Sequence, residues 1–314
     1  MDVKRRTIRT LVSKLSSVSE RTREEALAEL RLITKHDEES RPIVAEAGAI
    51  PYLAETLYSS SHESQDNAAA TLLNISISSR DSLMSTRGLL DALSHALGHH
   101  ATATSPTAVQ SAAATLHSLL VVDSYRPIIG SKRDIVYSLI EIVRSPKSPP
   151  RSIKDALKAL FGIALYQLNR SVMIDLGVVP PLFSLVLKDG RVGIVEDATA
   201  VIAQIAGCEE SEAEFGRVSG IRVLVDLLDV GTGSSGRVKE NAVGALLNLV
   251  RSGGEKVLRE VKELGVTALE GIRDVAEGGS SKGKSKAMAL LEVIEGGSMN
   301  GNPQFYSLFD HHSS

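Results

Sequence analysis

The sequence predicts an all-α solenoid, and three observations predict it. One block recurs about seven times along the 314 residues: a Gly-apolar-Pro-like start, a short apolar helix, a polar break and an Ala-rich helix. Aligning the Ala-rich helices brings Arg31, Asn74, Ser118, Gly162, Gln204, Asn248 and Glu292 to one equivalent position, in steps of 42–44 residues. No segment carries a strand signal. A helical period of about 40–47 residues marks stacked repeats in which each unit contacts only its neighbours.

Each element follows from this grammar. The first unit carries Ile8, Leu11, Val12 and Leu15 as one helical stripe, and its second helix, over residues 22–34, turns Ala26, Leu27, Leu30 and Ile33 inward. Residues 41–48 make a short helix that stops at Gly48, where a left-handed turn is expected. Gly48-Ala49-Ile50-Pro51 opens the next block, with its Ala-rich helix at 66–76. Gly88-Leu89-Leu90 opens the third, with a long helix over 107–121. Asp134-Ile135-Val136 opens the fourth without glycine, so this repeat is degenerate; its long helix is 152–165. Gly177-Val178-Val179-Pro180, Gly220-Ile221-Arg222-Val223 and Gly265-Val266-Thr267-Ala268 open the last three, with long helices at 196–206, 239–250 and 285–294. Residues 59–64, 231–236 and 278–283 read as loops at one point of three repeats. The array occupies 1–295, and 296–314 reads as a disordered tail.

Composition narrows the function classes. Aromatics are 4% and Trp is absent, so the core is aliphatic and Ala-rich, which suits close helix stacking. A net charge of −3 provides no global field for nucleic acid or an anionic membrane. No run approaches the ~18–20 apolar residues of a membrane span, and no apolar signal core follows the basic start Met1-Asp2-Val3-Lys4-Arg5-Arg6. A single cysteine, Cys208, leaves no internal disulfide and fits a reducing compartment, so a cytoplasmic or nuclear location is expected.

Three stretches carry a family resemblance: Leu30-Arg31-Leu32-Ile33-Thr34-Lys35, Ile43-Val44-Ala45-Glu46-Ala47-Gly48-Ala49-Ile50-Pro51, and Ala68-Ala69-Ala70-Thr71-Leu72-Leu73-Asn74-Ile75-Ser76. They resemble armadillo repeats of the plant U-box ubiquitin-ligase type, and Ala112-Ala113-Ala114-Thr115-Leu116-His117-Ser118-Leu119 is similar to the next repeat. The resemblance spans residues 11–294 and implies a right-handed superhelix whose third helices line a concave groove. Too few residues precede the first repeat helix to hold a U-box. The expectation is therefore the substrate-recognition half alone, a non-catalytic adaptor without cofactor or metal. It would act as a monomer and bind a protein partner, as an extended peptide segment, in ubiquitin-ligase or signalling complexes. The alternative is a U-box-type ligase component acting with a catalytic partner.

The resemblance also places site residues. Asn74 and Asn248 match the family's groove amide, whose donor and acceptor can hold a peptide backbone. Ser118 and Gln204 are polar substitutes, and Gly162 and Glu292 break the ladder. The asparagines can equally tie down neighbouring helix ends. The nuclear-import members place Trp four residues before the Asn; here those positions hold Ala70, Ala114, Lys158, Ala200, Gly244 and Met288, so no aromatic wall exists for lysine stems. Earlier on the same helices stand Glu24, Asn67, Ser111, Asp155, Asp197, Asn241 and Ser285. The middle is mildly acidic, with Lys158 as counterweight, and would favour a partner with some basic residues. Acids near helix N-termini are explained more simply by the helix dipole.

Other motifs lose their context. Gly278-Gly279-Ser280-Ser281-Lys282-Gly283-Lys284-Ser285 fits a phosphate-binding loop, but a helical repeat precedes it, not a strand. Gly231-Thr232-Gly233-Ser234-Ser235-Gly236 reads as a flexible loop. His95, His99 and His100 lack a matching carboxylate or cysteine and read as exposed loop histidines. Cys208 reads as a buried or half-buried thiol. Ser105-Pro106 suits a helix N-cap, whereas Ser145-Pro146 and Ser148-Pro149 are candidate phosphorylation switches.

Overall fold

A computed structural model describes residues 2–98 and 104–296; His99, His100 and residues 297–314 of the expected tail lie outside the described residues. Those residues form helices, with no strand among them. The chain opens with α1 (Asp2–Lys14) and α2 (Glu20–His36). Three-helix blocks follow: α3 (Ser40–Glu46), α4 (Ala49–Thr56), α5 (His62–Ser76); α6 (Arg80–Met84), α7 (Leu89–Gly98), α8 (Pro106–Leu119); and α9 (Arg126–Gly130), α10 (Arg133–Arg144), α11 (Pro150–Ala164). Next come α12 (Asn169–Asp175), α13 (Val179–Lys188), α14 (Val192–Ile205), then α15 (Ser211–Arg217), α16 (Gly220–Asp226), α17 (Gly236–Glu263), and finally α18 (Gly265–Gly278) and α19 (Ser281–Gly296).

Local chemistry sets the starts and stops. Serines open the long third helices: the Ser61 hydroxyl accepts from Ser64 N–H and the Ser105 hydroxyl from Thr107 N–H, each at 3.3 Å. Pro106 fills the first helical position, whose N–H has no helical partner to lose. The corner between first and second helices needs a left-handed residue. Gly48 and Gly177 take it with φ 83° and 79°. In the sixth block Ser219 takes it, at φ 54°, although the sequence offers Gly220 next door. The glycine-less fourth block makes the corner with right-handed Ser131 instead.

The boundaries differ in places from the expected ones. Ser64 belongs to α5, and Ser281 to Gly283 belong to α19, because the capping serines Ser61 and Ser280 begin those helices earlier. The helix expected to end near Val250 stops at Gly254 (φ 59°, ψ −143°), and a second helical stretch follows the kink as far as Glu263, so α17 holds two helices. Ile33 is half-buried, and Thr34 takes the inward place by donating its hydroxyl to the Leu30 carbonyl at 2.8 Å.

Contacts divide the chain into two compact units, residues 1–201 and 202–314. In the first, the long helices α2, α5, α8 and α11 stack in that order. Ala68, Ala69, Ala112, Ala113, Ala156 and Ala159 are fully buried along them, and Leu30, Leu72, Leu116 and Leu160 fill the layer between. Small side chains allow the close approach, and the leucines supply the apolar area whose removal from water drives it, about 25 cal/mol per Å². In the second unit α17 packs against α15, α16, α18 and α19.

Candidate functional site

The long helices of the first unit run side by side in register, so equivalent residues form rows across α5, α8 and α11. Ala70 and Asn74 are spaced i, i+4 on one face of α5, and Ile77 follows just past the end of that helix. Ala114 and Ser118 on α8 and Lys158 on α11 repeat that face half-buried, Gly162 is buried in its row, and Val121 and Leu165 follow past the helix ends, exposed.

The amide row is a stitch between repeats. Asn74 donates its Nδ2 to the Thr34 hydroxyl, 3.1 Å away on α2. Ser118 donates to the Ser76 carbonyl at 3.0 Å, and in the second unit Asn248 donates to the Ala203 carbonyl at 2.8 Å. Each bond reaches the preceding long helix. Asn offers two donors and an acceptor, so one such bond does not exhaust it. Gln204 and Asn241 are half-buried in the second unit.

Asn67 corrects the sequence reading of an open groove position. It is 5% exposed, and its Oδ1 accepts from the Arg31 guanidinium at 2.9 Å. Arg31 stands where the next repeats carry the shorter Asn74 and Ser118, and its guanidinium reaches Asn67.

The middle of the face is charged. Asp155 and Lys158 on α11, His117 on α8 and Asp197 on α14 stand near one another, all half-buried. Burial pushes the Asp155 carboxyl above its ordinary range, against a hydrogen bond from Gln110 and the charges of Lys158, His117 and Lys154. Burial also lowers the His117 imidazole, and Lys158 adds to that, while Asp155 and Asp197 pull the other way. Lys154 Nζ approaches Asp197 at 4.0 Å. The cluster balances acid against base.

Arginines cap the ends of these helices, a feature the repeat alignment misses. Arg41 Nε donates to the Thr34 carbonyl at 2.9 Å, Arg126 Nε to Leu120 at 3.1 Å and Arg170 Nε to Ala164 at 2.8 Å. Arg80 reaches forward to the Ser118 carbonyl at 2.8 Å. Terminal carbonyls lack a helical donor and carry the negative end of the dipole, which suits a guanidinium. The available signal was an arginine early in each short helix that follows.

The rejected motifs have structural explanations. Gly278 ends helix α18, Lys284 donates to the Glu277 carbonyl at 2.6 Å, and Lys286 pairs with Glu240. The Gly231 segment follows helix α16. His95, expected as an exposed loop histidine, instead lies half-buried on α7 with its ring 4.4 Å from that of Tyr58. Among the described residues no His, Cys, Asp and Glu cluster could hold a metal, and no single helix is long and apolar enough to cross a membrane. Cys208 is buried and donates to the Glu210 carboxylate at 2.7 Å.

Comparison with known proteins sets this geometry in a family. The family model for the plant U-box protein ARM repeat region matches residues 7–295. U-box domain-containing protein 16 of Arabidopsis thaliana is 29% identical over 272 residues, covering 85% of this chain and 38% of that protein. The chain spans about two fifths of the length of this relative and of U-box domain-containing proteins 17, 18 and 19 of the same plant. Among solved structures, a designed armadillo repeat protein aligns with TM-score 0.52 at 22% identity, covering 91% of this chain and 99% of that one. The β-catenin structure from a study of its interaction with cadherin aligns with TM-score 0.75 at 18% identity, covering 93% and 54%.

Proposed function

The chain belongs to the plant U-box protein ARM-repeat family, and from that premise we propose a non-catalytic adaptor that holds a segment of another protein along its third-helix face. One observation carries the reading: α5, α8 and α11 present equivalent, partly exposed positions in register, so a linear partner segment meets the same arrangement three times. Repetition of this kind suits a polypeptide better than a small molecule, which needs one enclosed pocket. The β-catenin neighbour is described as interacting with cadherin, and protein binding along the repeats is what we carry to this chain.

The groove residues are Asp155, Lys158 and Asp197, with Asn74, Ser118, Gln204, Asn241 and Asn248 supporting the helices that present them. Capture from plant extract with wild type and an Asp155→Lys, Asp197→Lys variant tests this. Selective loss of bound proteins from a variant with unchanged circular dichroism is expected. Identical capture would overturn it.

The relatives' U-box names favour a second reading, a component of a U-box-type ubiquitin ligase working with a catalytic partner. Ubiquitin transfer to a captured protein would then require this chain and a separate U-box protein together.

A further inference from the structure

Three serines of this chain stand directly before a proline, and the structure treats each differently. Ser105 is 6% exposed, and its hydroxyl caps α8 by accepting from Thr107 N–H. Ser145 follows the end of α10, and its hydroxyl accepts from Lys147 N–H at 3.3 Å, inside a turn that the Ser148 N–H closes on the Ser145 carbonyl at 3.2 Å. Ser148 is partly exposed between exposed Lys147 and Pro149, and its hydroxyl makes no hydrogen bond among the described residues. Protein kinases read charge patterns around the acceptor, and those directed by a following proline are suited by a cation three places on. Only Ser148 has one, in Ser148-Pro149-Pro150-Arg151; Ala108 and Ser148 hold that place after Ser105 and Ser145.

Ser148 also stands just ahead of a helix start that lacks a capping group. Ser61, Ser105 and Ser235 cap α5, α8 and α17 with their hydroxyls. At α11 the capping place falls to Pro149 (φ −59°, ψ 144°), whose side chain accepts nothing. Pro149 and Pro150 carry no N–H, so the unsatisfied donors of this helix start are the backbone N–H groups of Arg151 and Ser152, three and four residues after Ser148. The Ser152 hydroxyl, in the same turn, is 2% exposed and has no hydrogen-bond partner among the described residues. Lys147 and Arg151 are exposed and form no ion pair among those residues. The 15-residue helix adds the positive end of its dipole.

We propose that Ser148 is a phosphorylation site for a proline-directed protein kinase, and that the phosphate supplies the missing anion at the start of α11. The kinase transfers the γ-phosphoryl group of ATP. The bond from Ser148 Oγ to phosphorus forms, the bond from that phosphorus to the bridging oxygen breaks, ADP leaves, and the hydroxyl proton passes to the kinase's base. The product carries a charge of about −1.5 to −2 and three strong acceptor oxygens, set among Lys147, Arg151 and the open N–H groups. The inference does not depend on the adaptor reading, although α11 is the helix that carries Asp155 and Lys158.

The test uses the whole chain, a proline-directed kinase of the mitogen-activated class and ATP, read by intact mass and phosphopeptide mapping. A synthetic peptide of residues 143–156 is the unfolded control. One phosphate per chain on Ser148 is expected, lost in Ser148→Ala and kept in Ser145→Ala. At about pH 7.5 the phosphorylated chain should melt about 1–4 °C above the unmodified one. That gap should shrink by about half or more at about pH 5, because the phosphate's second pKa is about 6 and the cations favour its dianion. No phosphate on the folded chain, whether or not the peptide takes it, overturns the inference, as does phosphate on Ser145 or Ser105 in preference to Ser148. An equal or lower melting temperature at the higher pH, or a gap indifferent to pH, overturns it too.

Discussion

Asn74 on α5 donates its side-chain amide to the Thr34 hydroxyl of α2 at 3.1 Å, and Thr34 donates its own O–H to the Leu30 carbonyl at 2.8 Å. Thr34 is fully buried, so losing the amide leaves an acceptor in a dry interface. Asn74→Ala should cost about 1–2 kcal/mol in urea denaturation. Thr34→Val should cost a similar amount, and the double variant less than the sum, because both remove one bond. Additive losses would mean the bond contributes nothing. The stitch is also why binding is better probed at Asp155 than at Asn74.

Glycine has opposite meanings on two of the long helices. A methyl group on Gly162 would stand 2.8 Å from Leu120 Cβ, closer than packed carbons tolerate. Gly162→Ala should therefore lose about 1–3 kcal/mol. At Gly244 the same methyl would meet only the flexible Lys286 stem, 3.4 Å away. Gly244→Ala should gain up to about 1 kcal/mol from helix propensity. Thermal denaturation of the two variants decides the pair, and equal shifts would sink the argument.

Asp155 makes stability depend on pH in an identifiable direction. Burial raises its folded-state pKa above the unfolded value of 3.8, so its neutral form is the better tolerated. The stability it contributes is complete below that unfolded value and is lost as pH rises through the raised folded one. Asp155→Asn should therefore gain in melting temperature relative to wild type as pH goes from about 3.5 to 7. A relative loss over that range would show that the Gln110 bond and nearby cations dominate.

Cys208 should be chemically quiet. Burial and the Glu210 carboxylate push its thiol up to about 11, so about one molecule in a thousand carries the reactive thiolate at pH 8. A disulfide reagent should label the folded protein at least ~100-fold more slowly than the protein in guanidinium. Comparable rates would place the thiol in solvent.

The repeat period, the Ala-rich helices and the Ser105 cap were legible in the sequence because each rests on local spacing or on a residue's own backbone preference. Ser219 was not, because Gly220 beside it is the better local choice and only the packing of α15 and α16 selects the left-handed corner one residue earlier. The stop of the long helix was legible too: Gly253-Gly254 reads as a stop, and Gly254 takes a non-helical conformation there, a few residues past the expected end.

By itself the sequence determined that the chain is a stack of helical repeats, which faces of its helices are apolar, and which positions recur on the long third helices. These are properties of order along one chain, carried by a periodicity that no partner needs to complete. The tertiary structure alone decided what those positions do. Asn74 and Asn67 have equal claims to an open groove until Thr34 and Arg31, both about forty residues away in sequence, take up their hydrogen bonds. Ile77, Val121 and Leu165 look like ordinary core residues until the helices end and leave them in solvent. Exposure and hydrogen-bond satisfaction depend on what arrives from the neighbouring repeat, and that neighbour is close in space but not in sequence.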